Sequence, residues 1–171
     1  MKLFHGATHS ASLKIENDTL ISHLIERPHY KGDGFETTDG YVYLTDNAGY
    51  ATYLAQRHSV LNEEDFCVIY EVDIPTNELE ADFDQLKMVG RMSEDEANKH
   101  DALSSLSSVQ SCRVARSLKI GSDVTRKLTL PSGSNIEHED YQILIRLREL
   151  RRAGNAQEAE KTIPCHMWEN L

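Results

Sequence analysis

Between Tyr41 and Ala55 the spacing of the apolar residues changes from two to three and four, and that changeover limits the folds open to the chain. Tyr41, Tyr43 and Thr45 alternate with Val42 and Leu44, the period of a strand. From Ala48 onward, Ala48, Ala51 and Ala55 recur along one side and Tyr50, Tyr53 and Leu54 along another, the period of a helix. Asp46 and Asn47 stand at the switch, and both residue types cap helix N-termini by accepting from amides of the first turn. The segment predicts a strand that runs directly into a helix. Tyr43 lies at the strand end and Tyr53 along the helix, so the corner could stack a flat ring between them. A strand–turn–helix whose tyrosines simply fill a core meets the same pattern.

Other elements gather around this corner. Leu3-Phe4-His5-Gly6-Ala7-Thr8 predicts a short strand broken at Gly6. That break places an imidazole and open backbone at a sheet rim, because a glycine lets another group approach the main chain. Residues 12–21 give mixed signals and read as a brief strand or turn pair. Residues 22–27 read as a helical turn ended by Pro28. Residues 29–40 hold three glycines and read as a loop able to cover a pocket. The nearly unbroken apolar run at 66–72 predicts a strand in the interior of a sheet. It is followed by a dense carboxylate set, Glu78, Glu80, Asp82 and Asp84.

Ser93-Glu94-Asp95-Glu96 has the pattern of a helix start, and Ser104-Ser105-Leu106-Ser107-Ser108 reads as a mobile run. Strands are expected at 111–120 and 124–130. A helix is expected over 137–152, with Tyr141, Leu144, Ile145, Leu147 and Leu150 inward and Gly154 as its stop. The tail adds one short helix docked by Trp168. The sum is a single α+β domain.

Charge narrows the partners. With 28 acidic against 18 basic residues the net charge is −10, which argues against a nucleic-acid partner, since phosphate binding needs a concentrated basic face. The one local excess, Arg146, Arg148, Arg151 and Arg152, is diluted by Glu149. No stretch approaches the roughly 20 apolar residues of a membrane span, and the first residues have no secretory apolar core. Cys67, Cys112 and Cys165 are odd in number and widely spaced. That pattern fits a reducing compartment, here the cytoplasm. Cys165-His166 alone is too small a ligand set for zinc.

Three elements can converge: His5, the Tyr43 and Tyr53 corner, and a carboxylate of the acidic cluster. Together they suit a substrate with a hydroxyl-bearing sugar and a flat, cationic leaving group. The imidazole holds a ribose hydroxyl, the tyrosines stack a ring, and the carboxylate stabilises an oxocarbenium-like transition state. In chain order these and four further motifs resemble the rifampicin ADP-ribosyltransferases, within the ADP-ribosyltransferase superfamily. The motifs are Phe4-His5-Gly6, Val42-Tyr43-Leu44-Thr45 with Ala51 and Tyr53 behind it, Tyr70-Glu71-Val72-Asp73, Glu80-Ala81-Asp82, Ser111-Cys112-Arg113, Leu118-Lys119-Ile120-Gly121 and Glu149-Leu150-Arg151-Arg152-Ala153-Gly154. The resemblance spans most of the chain. It departs at residues 83–110, a longer segment than the family's, and at Cys112, where the family carries an aromatic.

The resemblance implies an ADP-ribosyltransferase-like domain of two small packed, mostly antiparallel sheets with flanking helices. It implies NAD as substrate and transfer of ADP-ribose to a hydroxyl or other nucleophile, with release of nicotinamide. The acceptor would be a small molecule such as a rifamycin, or a protein. By the same resemblance His5, Tyr43 and Asp82 are the catalytic residues. His5 binds the NAD ribose, Tyr43 stacks on nicotinamide, Tyr53 supports that pocket and Gly6 offers backbone hydrogen bonds to the carboxamide. Asp82 holds the ribose hydroxyl and stabilises the cation, with Glu80, Asp84 and Glu139 as alternatives. Two other functions remain open on such a fold: a non-enzymatic binding domain that takes no NAD, and an RNA 2′-phosphotransferase, which the acidic balance opposes.

Overall fold

In the computed structural model, which describes residues 1–25 and 37–171, the chain opens with β1 (Lys2–Thr8), α1 (His9–Asp18), β2 (Leu20–Ile21) and β3 (Val42–Leu44). There follow α2 (Ala48–Leu61), β4 (Phe66–Asp73), β5 (Leu79–Ala81), α3 (Phe83–Met88), α4 (Glu94–Ala97) and α5 (Ala102–Val109). The remainder is β6 (Cys112–Val114), β7 (Leu118–Lys119), β8 (Val124–Pro131), α6 (Tyr141–Arg152), α7 (Ala156–Thr162) and β9 (Trp168–Asn170).

The apolar run becomes β4, an interior strand of a sheet ordered β1-β4-β8-β9. A second sheet is ordered β3-β6-β5, and β2 pairs with β7. All these pairings are antiparallel, so the class is α+β, with the β2–β7 pair added to the two expected sheets. Strand alternation sends adjacent residues to opposite faces. Leu3, Tyr70 and Val72 face Val42, Leu44 and Val114 of the second sheet, with Ile15 of α1 among them. Phe4, Ile69, Leu128 and Leu130 face the other way, beneath Ala51 and Ala55 of α2, Leu147 and Leu150 of α6 and Ala159 of α7. A third cluster, Ala81, Leu86, Ala97 and Val109, ties α3, α4 and α5 to β5.

Several expectations change. Residues 12–21 belong largely to α1, not to a strand or turn pair. Thr8 caps that helix, and only Ser12 and Ile15 are buried, too thin a stripe to show a period. Residues 22–25, the described part of the expected helical turn, are not helical. The expected covering loop lies outside the described residues except at 37–40. The serine run is ordered as α5. Asp101 and Ser104 form its capping box, and Ser105 is fully buried. The strand expected at 111–120 is two short ones, β6 and β7. The tail has its expected short helix, α7, and the Trp168 ring lies 6.1 Å from that of Phe4; the strand β9, added to β8, was not expected.

Candidate active site

The two larger sheets meet at one corner. Phe4 N donates to Thr45 O at 2.7 Å and Thr45 N to Phe4 O at 3.0 Å, an isolated bridge between β1 and the end of β3. Had the ladder continued, Gly6 would stand opposite Tyr43. Instead the strands part, and His5 Nδ1 lies 3.0 Å from the Tyr43 carbonyl oxygen. A carbonyl only accepts, so Nδ1 carries the proton and Nε2 of the neutral ring is an acceptor. Main-chain groups two residues apart point the same way in a strand. Those of Gly6 therefore point, like those of Phe4, toward the side where β3 has turned away.

β1 is not broken at Gly6. The glycine answers another close approach: a Cβ there would sit 2.3 Å from Ala51 O. Its face is given to α2, and only its edge opens on the corner. Asn47 starts α2, as the changeover pattern predicts. Its Oδ1 accepts from Gly49 N at 2.9 Å and Tyr50 N at 3.2 Å.

The Tyr43 hydroxyl reaches across to the acidic cluster and donates to Asp84 Oδ2 at 2.5 Å. Thr38 completes the shell of that carboxylate, its N on Oδ2 at 2.8 Å and its hydroxyl on Oδ1 at 2.9 Å. Burial alone pushes the Asp84 pKa up. The bonds from Tyr43 and Thr38, helped by the Arg113 charge, outweigh it and hold the carboxyl below its ordinary value. Asp84 is ionised at neutral pH.

Asp82, which the resemblance assigns to the ribose, is fully buried. It caps α3 through Gln85 N at 3.0 Å and accepts from the Ser111 hydroxyl at 2.5 Å. Burial raises its pKa despite those bonds. Its carboxylate is turned into the protein because β5 ends at Ala81 and the first turn of α3 needs an acceptor. Of the two aspartates, the one that reaches the tyrosine is Asp84. Glu80 stands beside Arg113, with Oε2 3.5 Å from Nη2, and Glu139 is exposed in the segment before α6.

Tyr53 does not face Tyr43. Its ring stacks with that of Tyr50 at 6.3 Å, and the Arg151 guanidinium of α6 lies 3.7 Å from its centroid. Tyr53 is thus engaged by α2 and α6, while the Tyr43 ring has Tyr41 edge-on at 6.5 Å.

Asp84 also lines a cleft of about 190 Å³ with Thr38, Phe83, Lys87, Asn98 and Arg113. Arg113 is 6% exposed. Its guanidinium lies 3.8 Å from the Tyr41 ring centroid and 4.9 Å from that of Phe83, a cation–π sandwich. Its Nε is buried without a hydrogen-bond partner, and such an orphaned donor costs about 1–3 kcal/mol. Arg113 stands in the Ser111-Cys112-Arg113 motif, which assigns it no role. The signal was an arginine between buried Cys112 and Val114, in register with both Tyr43 and Glu80.

No family model and no curated protein matches this chain. The corner brings together an oriented imidazole, the Gly6 backbone edge, the Tyr43 ring and an ionised carboxylate. Cys67 and Cys112 are buried thiols, each pushed up to about 12 by burial, too high to act as nucleophiles at neutral pH. Among the described residues no group of three His, Cys, Asp or Glu side chains gathers to hold a metal ion. No helix among them is long and apolar enough to cross a membrane.

Proposed function

We propose that the protein is an NAD-dependent mono-ADP-ribosyltransferase of the kind its motifs resemble. The observation that carries the reading is the parted β1–β3 corner, where the Gly6 edge, the His5 ring and Tyr43 meet and Tyr43 is bonded to ionised Asp84. A backbone edge with one N–H and one C=O pairs with a carboxamide as with another strand. Tyr43 supplies a ring face for nicotinamide, and the His5 imidazole a partner for a ribose hydroxyl. In the reaction the bond from the ribose C1′ to the nicotinamide nitrogen breaks. Its electron pair neutralises the pyridinium, and nicotinamide leaves. The ribose carries the developing positive charge, which a fixed carboxylate stabilises. The acceptor oxygen then supplies the electron pair of the new bond at C1′, and its proton passes to Asp84 or to water. Asp84 takes the carboxylate role in place of Asp82, because Asp82 has no exposed surface.

NAD labelled in its nicotinamide tests the reading. The wild-type chain is expected to release labelled nicotinamide, faster with an acceptor hydroxyl present. Tyr43→Ala is expected to weaken NAD binding in calorimetry by about tenfold or more, as loss of a stacked ring costs about 1–3 kcal/mol. An absence of both NAD binding and release would leave the binding-domain reading.

A further inference from the structure

The cleft beside Asp84 has a chemistry of its own. Arg113 lines it, with its guanidinium packed on the rings of Tyr41 and Phe83. Nε has none, and the nearest carboxylate oxygen, on Glu80, is 3.5 Å from Nη2. A guanidinium carries five donors, arranged to take planar oxygen pairs. Lys87 is exposed on α3 and lines the same cleft, with the Thr38 and Asn98 side chains beside it. Two cations thus line one space, and one of them keeps an unpartnered donor.

We propose that this cleft seats an anionic group of the acceptor, a carboxylate or a phosphate, paired with Arg113 and Lys87, and turns the acceptor's nucleophile toward Asp84. The acceptor assignment rests on the transferase reading; the anion assignment does not. About 190 Å³ is room for roughly six waters at ~30 Å³ each, so only a small head group enters. Asp84 and Glu94 also line the cleft. They repel a second negative charge and accept from hydroxyl or amino groups. The favoured head group therefore carries one anion beside a hydroxyl or an amine, a chemistry distinct from a neutral polycyclic acceptor.

The test is an NMR titration of the full chain with sodium acetate and, separately, with inorganic phosphate. It follows the Arg113 Nε–H and the amides of Lys87 and Asn98. Saturable shifts confined to these groups are expected. Binding should be about tenfold weaker in Lys87→Ala, as suits loss of one charge-assisted bond, and restored in Lys87→Arg. Lys87 is exposed, so these variants leave the core intact. Shifts with phosphate alone assign a phosphate-bearing acceptor, and shifts with acetate alone a carboxylate-bearing one. No saturable shift with either anion, or shifts indifferent to Lys87, overturns the proposal. Calorimetry with NAD on the same samples separates the two readings. NAD binding without anion binding removes the cleft and leaves the transferase. Anion binding without NAD binding removes the acceptor role and the transferase together.

Discussion

Asp82 and Asp84 are two residues apart and live in opposite surroundings. Asp82 is enclosed, so burial raises its pKa, and folding favours its neutral form. Its stabilising contribution is full below the ordinary carboxyl range and is lost as pH rises through the raised value. Asp82→Asn keeps an acceptor for Gln85 N and never ionises. Relative to this variant, the wild type should lose thermal stability as pH rises above the ordinary carboxyl range, and parallel melting curves would refute the assignment. Asp84 has the reverse sign. Its bonds to Tyr43 and Thr38 lower its pKa against the pull of burial, so its contribution is present above the ordinary range and lost as pH falls below it. Asp84→Asn should leave the fold at neutral pH and reduce nicotinamide release by about 10²–10³-fold, the size of a lost preorganised electrostatic group. If release falls in Asp82→Asn and persists in Asp84→Asn, the two roles are exchanged.

At the level of elements, the seat of α2 on β1 depends on one missing methyl group. Gly6→Ala brings Cβ to 2.3 Å from Ala51 O, backbone that cannot rotate aside. Urea denaturation should show a loss of about 1–3 kcal/mol or more. Ser105→Ala is expected to cost a similar amount. Its hydroxyl donates to Ser111 O at 2.7 Å and accepts from Asp82 N at 3.0 Å, leaving two buried main-chain groups without partners. These cases also mark what was legible beforehand. The strand-to-helix changeover, β4 and α6 each bury a wide apolar face, and a wide face shows its period. α1 and α5 are short and held by caps and few buried residues, Ser12 and Ile15 in α1 and Ala102, Ser105, Leu106 and Val109 in α5, which a period count misses. At the corner, His5 and Tyr43 were legible as residue types at element ends. Which aspartate reached Tyr43 was not, because that depends on where β5 stops and α3 begins. Tyr53 was misdirected because helical spacing names a face without naming its neighbour, here Arg151.

Over the whole molecule, the last strand lies at the opposite edge of its sheet from the first, and one ring contact ties the two together. Trp168 touches Phe4 of β1, pairs through Leu128 of β8, and has Arg126 4.9 Å from its ring centroid. It is the one tryptophan of the chain, so its fluorescence reports on this contact. Unfolding followed by Trp168 emission and by far-ultraviolet circular dichroism should coincide, as in a two-state domain, and an earlier fluorescence transition would mean that the tail detaches by itself. Asp84 joins two regions, since the same carboxylate bonds Tyr43 and walls the Arg113 cleft. Whatever occupies one must reset the hydrogen bonding seen by the other. Thermodynamic reciprocity then demands that each ligand alter the affinity of its companion by an identical factor, so the doubly occupied state has one free energy whichever arrives first, and a single side chain sets the coupling.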